Sequence, residues 1–294
     1  MKHPDLVRLR LHNQGLLRSL FRTPSDVVRW FGAVQSQDLL GSLYAIGLRI
    51  GDVTEAGVEQ ALADRSVVRS WPMRRTIHCM AADDARWMIR LLGARGIARM
   101  QPYHRAMGIT EEQLRRAGRV LEKTLAGGHQ RTRAELYRRL KEAGLATASP
   151  DGHTPGLHLL CHWAQAGLIC IAARREKQAT FALLEEWTPR GRDLRGDDAL
   201  AELTGRYFQS HAPATVQDFA WWAGLPRKEA KRALSLMRDR LRSIERDGRE
   251  YWLLRKASDP APDAPPVFLP PRLTSTPSHT LTGPLQQIPR FWHL

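Results

Sequence analysis

The sequence predicts a mainly α-helical chain with small β-hairpins, an α+β fold of tandem winged helix-turn-helix domains. Two observations predict it. One pattern of capped helix, turn, second helix and hairpin occurs three times along the 294 residues. Each copy is also long enough to hold a small core, which separates tandem domains from a stacked solenoid. In the first copy, Val27, Val28, Trp30 and Phe31 form an apolar helix face. Asp52-Val53-Thr54-Glu55 then caps a helix reaching about Ala63, and residues 67–80 read as strand. In the second copy, Thr132-Arg133-Ala134-Glu135 is a capping box ahead of Leu136, Leu140 and Leu145. Thr154-Pro155 opens the next helix, with proline where its missing N–H has no partner to lose, and Gly167 closes it. Leu168-Ile169-Cys170-Ile171 and Thr180-Phe181-Ala182-Leu183 read as strands around the polar turn Arg174-Arg175-Glu176-Lys177.

The third copy is the clearest. Thr215 is an N-cap with Asp218 as its reciprocal partner, and Phe219-Ala220-Trp221-Trp222 carries the apolar face. Gly224-Leu225-Pro226 makes the turn to a second helix over about 227–241. Ser243-Ile244-Glu245-Arg246 and residues 249–254 flank Asp247-Gly248, a dipeptide that tolerates the left-handed backbone of a tight hairpin. The expected domains are 1–105, 106–190 and 191–257, followed by a Pro-rich linker and an atypical tail over 258–294.

Charge narrows the partner. Lys and Arg number 45 against 30 Asp and Glu, a net +15, which implies a polyanion with nucleic acid as the default. Genomic base composition can choose Arg over Lys, but it does not explain the excess over acids. Positive charge gathers on Arg115, Arg116, Arg119, Arg131, Arg133, Arg138 and Arg139, and again on Arg227, Lys228, Lys231, Arg232, Arg238, Arg240 and Arg242. The second group lies on the third copy's second helix, which suits a groove of DNA. An apolar fraction of 43% excludes a disordered or fibrous chain, and no apolar run is long enough to cross a bilayer. Met1-Lys2-His3-Pro4 is not a signal peptide. Cys79, Cys161 and Cys170 form no close pair and read as small buried hydrophobes in a reducing compartment. The expected setting is the cytoplasm, in association with the nucleoid, with double-stranded DNA as partner and no obligate protein partner.

Three clusters are candidates for chemistry. Gln35-Ser36-Gln37-Asp38 follows the apolar face of the first copy, and its two glutamines either project together into a cleft or are solvated or capping residues. Arg69-Ser70-Trp71-Pro72-Met73-Arg74-Arg75-Thr76-Ile77-His78 alternates basic, aromatic and hydroxyl groups. It is either a wet surface for phosphates and an unstacked base, or an exposed strand face with Trp71 and Ile77 in the core. His158 and His162 lie one helical turn apart around Cys161, but without a general-base Glu or a third ligand they read as part of a structural helix. No metal or cofactor is expected, and no phosphate-binding glycine loop or nucleophile elbow is present.

Over about residues 5–271 the chain resembles the bacterial winged helix DNA-binding domain family, whose characterised members are DNA glycosylases that excise alkylated purines, some of them unhooking interstrand crosslinks. The resemblance rests on Val34-Gln35-Ser36-Gln37-Asp38, Met73-Arg74-Arg75-Thr76-Ile77-His78, Thr132-Arg133-Ala134-Glu135-Leu136 and the run from His211 to Leu225. It implies that Gln35 and Gln37 are the catalytic pair, although Ser36 is more polar than the family's usual small or aliphatic middle residue. It also implies a damaged-DNA substrate and hydrolysis of an N-glycosidic bond. Arg75, Thr76 and His78 would then line the cleft or contact the DNA backbone. With Arg69, Arg74, Arg131, Arg133, Arg227, Lys228, Lys231 and Arg232, they make up the expected DNA-contacting set. The competing readings are a winged-helix regulator without catalysis and a truncated, inactive relative. Nothing in the sequence resembles the dimerisation helix or ligand domain that a regulator would use.

The tail departs from the family. The family continues from a Leu-Pro step into an acidic-aromatic block and a β-rich C-terminal domain. Here Leu269-Pro270-Pro271 leads into residues 272–282, which have no apolar periodicity. A single-base frame change with permitted codons turns that stretch into the missing block, so the expectation is an out-of-frame ending and a lost C-terminal domain.

Overall fold

The computed structural model describes residues 5–148, 154–188 and 191–256. The expected linker and atypical tail, residues 258–294, lie outside the described residues. The chain is a mixed α/β fold. It opens with α1 (Leu6–Asn13), α2 (Pro24–Phe31), β1 (Val34–Gln35), α3 (Leu39–Gly47), α4 (Glu55–Ala63), β2 (Val67–Met73) and β3 (Thr76–Ala81). The long α5 (Ala82–Ala106) leads to α6 (Glu111–Leu125), β4 (Arg131–Thr132), α7 (Arg133–Glu142), α8 (Pro155–Gln165), β5 (Ile169–Arg175), β6 (Gln178–Leu183) and α9 (Leu184–Trp187). The last copy comprises α10 (Gly196–Ser210), α11 (Val216–Ala223), α12 (Arg227–Leu236), β7 (Leu241–Arg246) and β8 (Arg249–Leu254). No described helix is long and apolar enough to cross a membrane.

Local chemistry sets the helix starts. Thr23, Thr110, Thr132 and Thr215 cap α2, α6, α7 and α11 in reciprocal boxes with Asp26, Gln113, Glu135 and Asp218, each satisfying orphan N–H groups of the first turn. Asp247 and Gly248 both take positive φ, 50° and 68°, and close the β7–β8 hairpin. β5 runs on through Arg174 and Arg175, so the turn expected over residues 174–177 is confined to Glu176-Lys177, and two other elements differ from the sequence expectation. Residues 67–80 are a hairpin rather than one strand, because Arg74 and Arg75 turn the chain with φ of 51° and 61°. Neither residue announces such a turn, since a left-handed backbone favours Gly, Asn or Asp. The second helix of the last copy also stops at Leu236, short of about 241, and Leu241 already belongs to β7.

The hairpins are not all separate. The first two join in one six-stranded sheet of order β1-β3-β2-β5-β6-β4, while β7 and β8 form their own ladder. The order reads alike from both edges: a short strand, then the second strand of a hairpin, then the first. Antiparallel pairing of Arg69 with Ile171 joins the halves. The last copy repeats the pattern in reduced form through a bridge between Ala214 and Trp252 of β8. In the second copy β4 ends at Thr132 and α7 begins at Arg133, and in the third Thr215 caps α11 directly after Ala214. In the first, Ser36, Gln37 and Asp38 intervene between β1 and α3. That widened junction starts directly after Gln35 and contains Gln37.

One apolar cluster draws on all three copies, with Met80, Trp87, Cys170, Ala182, Tyr207, Phe219 and Trp222 among its members. Buried Asp84 on α5 fastens the first copy to the last. It accepts from Arg206 Nη1 at 2.6 Å and Nη2 at 3.2 Å, and from Trp87 Nε1 at 2.8 Å. Gly93 on the same helix lets α8 approach, since a Cβ there would stand 2.0 Å from the Gln165 carbonyl oxygen.

Candidate active site

Gln35 lies on β1, an edge strand, opposite His78, and is exposed. Ser36 is completely buried, and Gln37 is half-buried in the bend that follows. Ile77 clamps this segment from both directions. Its carbonyl accepts the Ser36 N–H at 2.8 Å, and its own N–H donates to Gln37 Oε1 at 3.2 Å. A backbone N–H needs an acceptor, so this contact decides which way round the Gln37 amide stands. Asp38 is exposed, and its carboxylate makes no cap bond to α3.

Arg69 is not a DNA-facing residue here. It is buried on β2, where its Nε donates to Ser36 Oγ at 2.9 Å and its Nη2 to the Ser36 carbonyl at 2.8 Å. Burial lowers its pKa from the ordinary guanidinium range. His78 is likewise inside, 1% exposed. Its Nδ1 lies 2.9 Å from the Thr76 carbonyl, which can only accept, so Nδ1 carries the proton. Burial, reinforced by the Arg74 charge, pushes the ring pKa down to about 3. His78 therefore stands behind Gln35 as a neutral, enclosed ring rather than at the surface. The sequence placed both residues outward because a strand in which both faces are covered gives no alternation to separate them.

Arg74 and Arg75 occupy the hairpin turn. The Arg74 guanidinium lies over the Trp221 ring of α11 at 4.5 Å, and Arg75 lies over Tyr103 of α5 at 4.7 Å. Both rings are partly exposed, 40% and 46% respectively, so the turn presents two stacked cation–aromatic pairs at the surface. Behind them, Ser70 Oγ, Arg74 Nε, Thr76 Oγ1 and His78 Nε2 are buried without a hydrogen-bond partner among the described residues. Trp71 and Ile77 belong to the core, as the second reading of this segment anticipated.

The remaining basic residues divide. Arg227, Lys228, Lys231 and Arg232 are exposed along α12, with Arg232 paired to Asp197. Arg133 is exposed at the start of α7, and half-buried Arg131 donates to the Gln130 carbonyl at 3.1 Å. Sequence reasoning did not single out Tyr103 and Trp221 as platforms for the two arginines. It also missed the apolar face of α3, where Leu40, Tyr44 and Leu48 are exposed at four-residue spacing just past the glutamines. That spacing was readable. The histidine pair His158 and His162 has a third ring beside it, His104, with centroids 5.8 and 5.7 Å away. No group of three or more ligating residues among those described has the arrangement to hold a metal ion. All three cysteines are buried free thiols.

Comparison with known proteins agrees with this architecture. A curated protein from Streptomyces sahachiroi, an interstrand DNA cross-link repair glycosylase, is 26% identical over 262 residues, covering 85% of this chain and 69% of its own length. The solved structure of the Streptomyces sahachiroi DNA glycosylase AlkZ superposes with a TM-score of 0.72 at 24% identity, over 86% of this chain and 71% of that one. The sequence model described as DNA glycosylase AlkZ-like matches residues 28–272. The chain therefore belongs to the AlkZ-like DNA glycosylase family.

Proposed function

We propose that this protein is a monofunctional DNA glycosylase that hydrolyses the N-glycosidic bond of N7- or N3-alkylated purines in duplex DNA. Gln35 and Gln37 carry the chemistry, and interstrand crosslinks through such purines are within its range. The observation that carries the reading is the widened β1–α3 junction, where Gln35 is exposed and the Gln37 amide is anchored by the Ile77 N–H. The three helix–hairpin units are read as tandem winged helices that grip the duplex through phosphates, with α12 as the basic helix of the third.

An alkylated purine is cationic before any catalysis. The C1′–N9 bond breaks with its electron pair passing to the base, which leaves neutral, so no general acid is required. A water oxygen then bonds to C1′ and its proton passes to solvent. Positioned amide dipoles suffice for this. The free lone pair of Gln37 Oε1 and the exposed Gln35 carbonyl orient the water and stabilise positive charge developing on the sugar. With no strong base in the pair, only labile cationic lesions are expected to react. Partners and location follow: damaged double-stranded DNA, no obligate protein partner, and the nucleoid in the cytoplasm. The test is release of N7-methylguanine from duplex DNA, read as strand scission at the abasic site, for wild type and Gln37→Ala. Release that is lost in the variant, with DNA binding kept, is the expected result. Equal release by both overturns the assignment.

A further inference from the structure

We propose that Arg69 is the positioning residue of the glutamine pair, acting through Ser36. The inference rests on Gln35 and Gln37 carrying the reaction, and it explains why the residue between them is a serine. In the sheet, β3 separates β2 from β1, with Arg69 opposite Cys79 and Cys79 opposite Val34. The small Cys79 lets the Arg69 arm pass across β3 to reach the residue beyond Val34 and Gln35. There the guanidinium fork engages one residue twice, through Ser36 Oγ at 2.9 Å and the Ser36 carbonyl at 2.8 Å.

The hydroxyl hydrogen is accounted for as well. Ser42 Oγ donates to the Leu39 carbonyl at 2.7 Å, so across the 2.7 Å contact between the two serines Ser36 is the donor. Ser36 Oγ thus accepts from Arg69 and donates to Ser42, while the Ser36 N–H donates to Ile77. Both peptide planes of Ser36 are fixed, one by Ile77 and the other by Arg69. Those planes carry Gln35 on one side and Gln37 on the other.

A structural explanation alone leaves the charge unaccounted for. Arg69 is 6% exposed and forms no direct ion pair among the described residues; the Asp38 and Glu59 carboxylates favour its charge only from a distance, against the larger effect of burial. The nearby Arg174–Glu59 pair belongs to β5 and α4. Burying a cation with no carboxylate in contact is costly, and an aliphatic residue would fill such a site without desolvating a charge. What only a fork can provide is direction at the Ser36 carbonyl, and so at the two amides that flank it.

The test is a double-mutant cycle in single-turnover release of N7-methylguanine at saturating enzyme, with duplex affinity measured across salt concentrations. Arg69→Met is expected to lower the rate constant at least about tenfold while duplex affinity stays within about twofold. The salt slope is expected to be unchanged, because no phosphate contact is removed. Ser36→Ala/Arg69→Met is expected to fall no more than about threefold below the worse single variant, the mark of two residues acting as one unit. Arg69→Lys, which keeps charge but not the fork, should be intermediate. If Arg69→Met fails to fold, Arg69→Lys and its double with Ser36→Ala carry the same cycle. Multiplicative losses, a salt slope reduced by about one, or a wild-type rate in Arg69→Lys would each overturn the proposal. Gln37→Ala is measured alongside. A wild-type rate there rejects the glutamine pair itself, whereas an inactive Gln37→Ala beside a fully active Arg69→Met rejects only the role given to Arg69.

Discussion

Replacing Asp84 with alanine should destabilise the fold strongly. Its carboxylate is 0% exposed and receives four donors: Arg206 Nη1 at 2.6 Å, Arg206 Nη2 at 3.2 Å, Arg192 Nη1 at 3.3 Å and Trp87 Nε1 at 2.8 Å. Truncation leaves the fully buried Trp87 N–H without an acceptor, a loss of about 1–3 kcal/mol. It also strips the better partner from buried Arg206, and breaking such a pair costs about 3–5 kcal/mol. Arg206 keeps Glu202 at 2.8 Å and the Arg29 carbonyl at 2.8 Å, which places each loss at the lower end of its range and the total at about 4 kcal/mol. For a chain of this size, at about 2 °C per kcal/mol, the melting temperature should fall by about 8 °C. The assay is urea unfolding of Asp84→Ala beside Asp193→Ala, whose carboxylate pairs with Arg90 at the surface. The control should unfold with wild type. If Asp84→Ala unfolds no earlier than the control, the link from α5 to α10 is not what holds the first and last copies together.

Three further outcomes follow from the geometry. His78 and His211 are both held neutral by burial, each pushed down to about 3, so the unfolded chain takes up protons first as pH falls through about 6.5. Stability contributed by the pair is complete above that pH. It should decline toward about 2.7 kcal/mol per pH unit in the mildly acid range, at about 1.36 per group, and a flat urea midpoint between pH 7.5 and 5 would refute this. Lys228→Ala/Lys231→Ala should reduce the slope of log affinity against log salt by about 1.8, at about 0.9 per phosphate; an unchanged slope means α12 faces away from DNA. Asp38→Asn should retain single-turnover base release within about threefold of wild type, and a loss as deep as that of Gln37→Ala would make Asp38 the base.

Local chemistry was the legible part. Thr132 with Glu135, Thr215 with Asp218, and Asp247-Gly248 specify their own caps and turn, and each formed where expected. The joining of β2 to β5 was not legible, because pairing Arg69 with Ile171 depends on residues a hundred positions apart and leaves no periodic trace. Shorter but still non-local separations hid the inward path of Arg69 to Ser36 and the third ring, His104, beside His158 and His162. The Arg74-Arg75 turn was hidden for another reason. Its left-handed backbone is imposed by the stacking of each arginine on another helix rather than by its own preference. At the candidate site, Gln35 and Gln37 came forward through a family resemblance. The clamp from Ile77 could not, since a backbone N–H and carbonyl have no signature in side-chain identity.

The three-residue widening between β1 and α3 has an evolutionary consequence. Where a unit is present in several copies, one can depart from the shared design while the others keep gripping the substrate. In the second and third copies a threonine closes the strand-to-helix step; in the first, Ser36, Gln37 and Asp38 stand there instead, directly after Gln35. Lengthening one connection costs little free energy when the elements at both ends are already fixed. If the proposed site is right, lesion preference can therefore change within a few codons at this step while the rest of the fold is left as it is.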